Sequence, residues 1–254
     1  MVNTWPDNLS IRIPPHPAGD KLTPLRSLPC IGSRPCQARE KSRGCQDPGT
    51  VVKRPMVTSI LARLKEQLPL SPSPPAPDLV AAGVLVPLFV KEEQLQVLFT
   101  QRTLMVKDHR GQIAFPGGVR DPEDLHLLAT ALRETEEEIG LTPDAVQVLG
   151  TLPPVATITG YHITPFVGLI PHPYDFHPSP REVKRLLALP LPEFYAPERW
   201  RSGPYTFKGH TTRVCYWQNG QEVIWGATAR ILLNLLAHLG VHPIPGDRDA
   251  TCLD

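Results

Sequence analysis

Glu134, Glu137 and Glu138 lie between Arg133 and Gly140, at a spacing that suits metal-ion chemistry. In an α-helix, which turns about 100° per residue, Glu137 and Glu138 project within about 60° of Glu134. Carboxylates held this close repel one another unless a cation is present. Oxygen ligands alone favour Mg²⁺ or Mn²⁺, which commonly share their coordination with substrate phosphates. The spacing predicts a divalent metal site for a phosphate compound, and the alternative interpretation is a solvated acidic helix face.

The helix that carries these acids is predicted over residues 121–139. Its apolar residues fall opposite the acids and predict a packed face formed by Leu125, Leu128, Ala129, Leu132 and Ile139. Asp121, Pro122 at the first helical position and the acid Asp124 signal its start. Gly140 is placed to end it in the left-handed conformation. Glu136 falls on the apolar side and is given no catalytic role.

Residues upstream of the helix are suited to binding phosphate. Gly117 and Gly118 form a turn whose backbone has to approach metal and phosphate closely, and glycine adopts positive φ freely. Arg102 and Lys107 precede this turn, where their positive charges would neutralise phosphates. Solvated surface charge is the alternative interpretation for both side chains.

The segment from Gly118 to Leu141 resembles the signature of the Nudix hydrolases. That signature reads glycine, five residues, glutamate, seven residues, then Arg-Glu-apolar-x-Glu-Glu-x-Gly-apolar. The second half matches from Arg133 onwards, with Thr135 at an apolar position. In the first half Asp124 replaces the glutamate, and eight residues separate it from Arg133. The resemblance implies an α/β fold, the Nudix α/β/α sandwich with a mixed β-sheet between helices.

The Nudix resemblance also implies which residues do the chemistry. Glu134, Glu137 and Glu138 would hold Mg²⁺ or Mn²⁺, and Arg133 would orient their carboxylates. Glu182 lies beyond the central strands, where relatives often carry an acid on a loop over the site. One of the three glutamates or Glu182 would take the proton of the attacking water.

A second motif resembles the upstream signature of the coenzyme A pyrophosphatase branch of this family. Residues 98–118 follow its order of Leu-Leu-Thr-x-Arg-Ser/Ala, Arg, Gly and Phe-Pro-Gly-Gly, with Lys107 at the second arginine and Thr103 at the Ser/Ala position. The resemblance implies hydrolysis of the pyrophosphate bond of coenzyme A or acyl-CoA to 3′,5′-ADP and 4′-phosphopantetheine. The same chemistry on ADP-ribose, NADH or a nucleoside triphosphate is a related alternative. A nucleotide-binding module without catalysis is a different one, which the complete glutamate trio disfavours.

Composition along the chain indicates one catalytic domain with an N-terminal extension. Residues 1–55 carry nine Lys/Arg against four Asp/Glu, are rich in proline and lack periodic apolar patterning, which predicts disorder. Residues 56–78 predict a helix and a Ser/Pro linker, residues 79–242 the catalytic domain, and residues 243–254 a tail. One hypothesis takes Met56 as the physiological start, with residues 1–55 absent from the native protein or dispensable.

Charge, hydropathy and cysteine usage restrict the expected partners. The formal net charge of +1 gives no sign of nucleic-acid binding, and no apolar run reaches the roughly 18 residues needed to cross a bilayer. The five cysteines are odd in number and include no Cys-x-x-Cys pair, which suggests neither a disulfide framework nor a zinc site. A cytoplasmic enzyme acting on a small-molecule substrate is expected, with a monomer or a homodimer left open.

Hydrophobic patterns predict the elements around the site helix. A hairpin is expected from residues 83–90 and 95–101, further strands at 112–115, 146–152 and 163–170, and a strand or helix at 184–189. Asn219-Gly220 predicts a second hairpin between residues 213–218 and 222–225. An amphipathic helix is expected at residues 227–239.

Overall fold

The computed structural model describes residues 57–104 and 111–244. Within these residues the helices are α1, Val57–Gln67; α2, Leu127–Ile139; and α3, Gly226–His238. The strands are β1, Val80–Lys91; β2, Gln94–Arg102; β3, Ile113–Ala114; β4, Gly117–Val119; β5, Gln147–Thr151; β6, Val155–Ala156; β7, Tyr161–Leu169; β8, Val183–Pro190; β9, Trp200–Phe207; β10, His210–Asn219; and β11, Glu222–Trp225. The expectations for residues 1–55, for Lys107 and for most of the tail lie outside the described residues.

A mixed sheet built around β1 forms the centre of the fold. β1 pairs antiparallel with β2 across the turn between Lys91 and Gln94, as the first hairpin prediction requires. It also pairs antiparallel with β4 and parallel with β7. β5 and β6 pair with β7, while β3 and β8 pair with β2. Residues 184–189 are therefore strand and not helix, and the predicted mixed sheet is confirmed.

Side chains of β1 alternate between two cores, one on each face of this sheet. Leu85 and Phe89 pack into a core with α2, because residues of a strand two apart share a face. Val86 and Leu88 pack on the opposite face into a core shared with α1 and α3. Helices thus cover both faces of a sheet, which is the predicted α/β/α layering.

A second, three-stranded sheet, β9-β10-β11, packs on the α3 side. Its β10–β11 hairpin confirms the prediction from Asn219-Gly220, although the two turn residues are Gly220 and Gln221, one position later. β9 was not predicted, because Gly203 and Pro204 interrupt its apolar pattern. Cys215 of β10 is buried and disulfide-bonded, although the cysteine pattern suggested no disulfide framework.

In the described part of the chain, no helix combines the length and the apolarity required to cross a membrane.

Candidate active site

Helix α2 lies directly against β1, and a glycine permits the contact. A Cβ atom on Gly83 of β1 would lie 2.3 Å from the carbonyl oxygen of Leu127 and 3.2 Å from the nitrogen of Ala131. No side chain fits in that space, so the helix backbone approaches the strand more closely than in ordinary packing. The buried face of α2 includes Leu127, Ala131 and Thr135. This packing decides where the glutamates of the helix point.

The helix begins at Leu127, six residues later than predicted. His126 is the N-cap, and its Nδ1 accepts a hydrogen bond of 3.0 Å from the backbone N–H of Ala129. Asp121 and Asp124 instead form a turn, in which the N–H of Asp121 donates to Oδ2 of Asp124. The expected capping sequence therefore shapes a loop before the helix. The end was predicted correctly, since Gly140 has φ of 71° and donates its N–H to the carbonyl of Glu136.

The predicted apolar face of α2 is confirmed in part, because Ile139 is fully buried and Leu128 and Leu132 pack against the core on that side of the sheet. Leu125 precedes the helix and is 87% exposed, whereas Leu127 and Ala131 occupy the fully buried stripe. Thr135, at the position where the Nudix signature has an apolar residue, is fully buried and donates its hydroxyl to the carbonyl oxygen of Ala131 at 2.6 Å. A threonine fits there because the helix itself accepts its hydrogen bond.

Arg133 organises the loop and two of the glutamates. Its Nε and Nη2 donate to the two carboxylate oxygens of Asp124, both at 3.0 Å, which is the geometry of a bidentate pair. Its Nη1 contacts Glu134 at 2.9 Å and Glu137 at 3.3 Å. The guanidinium holds the pKa of Asp124 at about 2, below its usual 3.8. The acid that departs from the Nudix signature therefore anchors the arginine that the signature requires.

Gly117 and Gly118 lie against different neighbours. Gly117 has φ of 145°, and a Cβ on it would meet the backbone of Gly83 and Val84 in β1. A Cβ on Gly118 would lie 2.4 Å from Cδ of Glu134. The first glycine thus permits close strand pairing, and the second leaves room for the Glu134 carboxylate.

Glu138 lies on the buried side of α2, and its side chain is 5% exposed. One carboxylate oxygen, Oε1, lies 3.4 Å from Nη1 of Arg102 at the end of β2. The other, Oε2, has no hydrogen-bond partner, and neither does the buried Nε of Arg102. Burial raises the pKa of Glu138 to about 8, opposed by Arg102 and reinforced by Glu182 and Glu134. Burial likewise raises the pKa of Glu134, with Arg133 opposing the shift. Arg102, expected to face phosphate, contacts a glutamate here.

Glu182 lies on a turn that closes over the C-terminal end of α2. The N–H of Ser179 donates to the carbonyl of Glu138, and the carbonyl of Ser179 accepts from Glu182 and Val183. Thr103 at the end of β2 donates its N–H to Glu182 and its hydroxyl to the carbonyl of Arg181. The Glu182 side chain is exposed, yet its charge contributes to the raised pKa of both Glu134 and Glu138. The structure thus brings Glu182 to the helix glutamates.

The carboxylates of α2 have the oxygen donors that a hard divalent cation prefers. Among residues 57–104 and 111–244, no three His, Cys, Asp or Glu side chains lie close enough to hold a metal ion. Nη1 of Arg133 contacts both Glu134 and Glu137, while Arg102 contacts Glu138. The buried, unpartnered oxygen of Glu138 is a donor that a cation would satisfy. The donor chemistry of these residues therefore fits a hard divalent cation.

The fold and this glutamate helix define a class of enzyme. The profile of the NUDIX domain matches residues 80–202, which include the central sheet, α2 and the turn with Glu182. The chain belongs to the Nudix hydrolase family. Hydrolases of this family generally use divalent metal ions.

Relatives of known sequence agree with that assignment. The protein is 40% identical to a Nudix hydrolase NudL of Enterobacter sp. strain 638 over 162 residues, which cover 64% of this chain and 84% of that one. The same values hold for the NudL of Escherichia coli O1:K1 / APEC. Among solved structures, an Ap4A hydrolase of C. elegans in a binary complex is 19% identical, with a TM-score of 0.39 over 44% of this chain and 80% of that chain.

Proposed function

We propose that the protein hydrolyses the pyrophosphate bond of coenzyme A and acyl-CoA. One water would be consumed, the P–O–P bridge would break, and each product would keep one of its two phosphates: 3′,5′-ADP as its 5′-phosphate, beside the 3′-phosphate, and (acyl-)4′-phosphopantetheine as its 4′-phosphate. One observation carries the proposal: residues near both ends of the segment that resembles the coenzyme A pyrophosphatase motif, residues 98–118, lie against the glutamate helix. Arg102 from this segment contacts Glu138, and Gly118 borders Glu134.

Glu134, Glu137 and Glu138 are the proposed ligands of Mg²⁺ or Mn²⁺. When bound, the ion would neutralise charge on the phosphates and make a coordinated water more acidic. Arg133 would hold Glu134 and Glu137 in place, because its other edge is fixed by the bidentate pair with Asp124. Its role is orientation, since its guanidinium nitrogens are directed at these carboxylates.

The proton of the attacking water needs an acceptor near these ligands. Glu182 is a suitable one, because its exposed carboxylate lies on the turn that is hydrogen-bonded to the end of α2. The helix glutamates are the other candidates, and a general base acts best when it lies within hydrogen-bonding reach of the water. Glu182→Gln with a normal metal affinity and a large loss of kcat would favour Glu182.

The substrate is tested by comparing the rates at which different pyrophosphates are hydrolysed. Purified protein with Mg²⁺ or Mn²⁺ is incubated separately with coenzyme A, acetyl-CoA, ADP-ribose, NADH and a nucleoside triphosphate, and the products are separated chromatographically. The proposal expects the highest kcat/KM for coenzyme A or its acyl form, with 3′,5′-ADP as a product. A higher kcat/KM for ADP-ribose, NADH or the triphosphate would reassign the substrate.

The metal ligands are tested by substitutions that keep the size of the side chain. Glu137→Gln and Glu138→Gln should each reduce kcat by roughly a hundredfold or more, because loss of a ligand misplaces the metal. Glu136→Gln is the matched control, since Glu136 lies in the same helix but is exposed and was given no role. Near-normal turnover in both soluble mutants would contradict the assignment of these glutamates as metal ligands.

A further inference from the structure

Four residues from distant parts of the chain form a hydrogen-bonded relay beside the candidate site. Nη2 of Arg185 on β8 donates to Oε1 of Glu222 on β11 at 2.6 Å. Nε of the same arginine donates to Oε1 of Gln101 on β2, also at 2.6 Å. Nε2 of Gln101 then donates to the carbonyl oxygen of Gly111 at 3.1 Å. The relay connects the second hairpin, β10–β11, to the strand that carries Arg102.

The relay flanks an irregularity in the pairing of β2 with β8. Gln101 lies opposite Arg185, but Arg102 lies opposite Val183, so Lys184 is an extra residue on β8. Such a β-bulge turns the following side chains to the other face of the sheet. Val183 accordingly packs in the α2 core, although Leu187, which shares the face of Arg185, packs on the opposite side.

The relay acts from the face of the sheet that is opposite to Glu138. In β2, Phe99 packs in the α3-side core and Leu98 in the α2 core, so Gln101 belongs to the first face and Arg102 to the second. The relay therefore lies away from the carboxylates of the α2 glutamates. It holds the backbone at the junction of Gln101 and Arg102, where the N–H of Arg102 also donates to Gln112.

We propose that Arg185 is a positioning residue for the reaction, which holds the β-bulge and thereby directs Arg102 towards Glu138. The inference rests on the proposed function, because it assigns a role to the Arg102–Glu138 contact in the metal site. Glu222 is the second member of the device, since it fixes the free edge of the Arg185 guanidinium. The hairpin β10–β11 thus acts as a support for the catalytic face without contributing a residue to it.

The energetics favour a role in geometry over one in stability. The side chain of Arg185 is 44% exposed and that of Glu222 is 23% exposed. Ion pairs in such surroundings stabilise folded proteins little. Small displacements of catalytic groups, in contrast, change rates strongly. Loss of the relay should therefore change turnover far more than it changes Tm.

Single substitutions provide the first part of the test. Arg185→Gln and Glu222→Gln should each lower kcat for coenzyme A, by about tenfold for the arginine, with KM and Tm little changed. Arg213→Gln is the matched control, because Arg213 lies on the same hairpin but its Nε donates to Ser202 within the three-stranded sheet β9-β10-β11. The control should keep kcat within about twofold of wild type, the usual result for a surface change remote from the site. Equal losses in the control and in Arg185→Gln would overturn the proposal.

A double-mutant cycle with Arg102→Gln provides the second part. If Arg185 acts through Arg102, then Arg185→Gln should have less than about a twofold effect in the Arg102→Gln background. The same tenfold loss in both backgrounds would show an independent structural effect and refute the positioning role.

The cycle is repeated with the Mn²⁺ dissociation constant as the readout, by calorimetry without substrate. The same non-additivity is expected there, and additive changes in Mn²⁺ affinity would refute the inference. Failure of wild-type protein to cleave coenzyme A, with the non-additivity in Mn²⁺ binding intact, would refute only the proposed substrate.

Discussion

Glu138 is a proposed metal ligand whose burial is unfavourable for the stability of the fold. Its carboxylate is buried with one oxygen unpartnered, and burial raises its pKa to about 8 from 4.5. Burying a charged group is unfavourable unless a partner compensates for the lost water. Arg102, through one contact of 3.4 Å, and a backbone hydrogen bond from Gly117 compensate only in part. The site is therefore destabilised as it stands, in a way that a bound cation would relieve.

This conflict predicts how the stability of the metal-free protein depends on pH. A raised pKa in the folded state means that folded protein retains a proton that unfolded protein loses, so stability falls as pH rises from about 4.5 to about 8. Glu138→Gln should lack this fall and should unfold at a higher denaturant concentration than wild type at pH 8 in EDTA. Urea unfolding of both proteins at several pH values measures it. A constant difference between them across this range would contradict the raised pKa.

Asp124 shows the opposite behaviour, because a carboxylate paired with an arginine is stabilised in its charged form. Its pKa is lowered from 3.8 to about 2, so the pair stabilises the fold above pH 3.8 and this contribution is lost as pH falls towards about 2. Asp124→Asn should lower the free energy of unfolding by about 1.5–3 kcal/mol at neutral pH, the usual range for hydrogen bonds to charged groups.

The stability difference between wild type and Asp124→Asn, measured by urea unfolding, should shrink as the pH falls from about 4 to about 2. Asp121→Asn is a suitable control, because Asp121 is exposed at its carboxylate and contacts Arg133 only at 3.5 Å. An equally large loss in the control would mean that the loop's general charge matters, and not the bidentate pair.

At the scale of elements, the packing of α2 on β1 determines the site. The close approach at Gly83 places Leu127 and Ala131 against the sheet. Further along the same side of the helix, Glu134 lies against Gly118 of β4 and Glu138 contacts Arg102 of β2. Glu138 is thus buried and Glu134 is partly buried, whereas Glu137 lies on the exposed face that the helical wheel predicts for all three acids. A helix wheel gives relative directions only, whereas the sheet decides which direction is buried.

Two leucines at the start of this helix test the corrected boundary. Leu127→Ala should cost about 2–5 kcal/mol, because it leaves a cavity under the helix where Leu127 is 6% exposed. Leu125→Ala should change the free energy of unfolding by less than about 0.5 kcal/mol, since Leu125 is 87% exposed. Chemical denaturation of the two mutants makes the comparison. Similar losses would restore the boundary expected from the sequence.

At the scale of the whole molecule, three separate elements converge on the glutamates. Helix α2 supplies the acids, the end of β2 supplies Arg102, and the turn before β8 supplies Glu182. Hydrogen bonds between Thr103 and residues 181–182 join the last two directly. The site therefore depends on the central sheet being complete.

Removal of divalent metal should abolish activity in the proposed mechanism, and Mg²⁺ or Mn²⁺ should restore it. Activity should also increase on the alkaline side, because both the attacking water and the Glu138 carboxyl lose their protons more readily there. Assays in EDTA, followed by titration with each ion at pH 6 to 9, measure both effects. Folding is monitored in parallel by circular dichroism. Cleavage that persists in the chelator with unchanged rate would remove the metal from the mechanism.

The sequence by itself determined the local features of this protein. The spacing of Glu134, Glu137 and Glu138, the glycine that ends their helix and the Asn219-Gly220 hairpin all follow from contacts within a few residues. Such contacts depend on backbone geometry and side-chain type alone, so a single sequence suffices to predict them. The mixed sheet was predicted from the Nudix resemblance, which supplied the long-range pairing that local patterns do not contain.

Only the tertiary structure decided how the residues of the site are paired. The sequence predicts Asp124 as part of a helix N-terminus, but in the folded protein its carboxylate accepts hydrogen bonds from Arg133. Arg102 reads as a phosphate ligand, but the pairing of β2 in the sheet places it beside a buried glutamate. Arg185 and Glu222 carry no motif at all. Each of these contacts joins residues that the chain keeps apart, and their free energy depends on burial and distance, which arise only when the sheet brings the elements together.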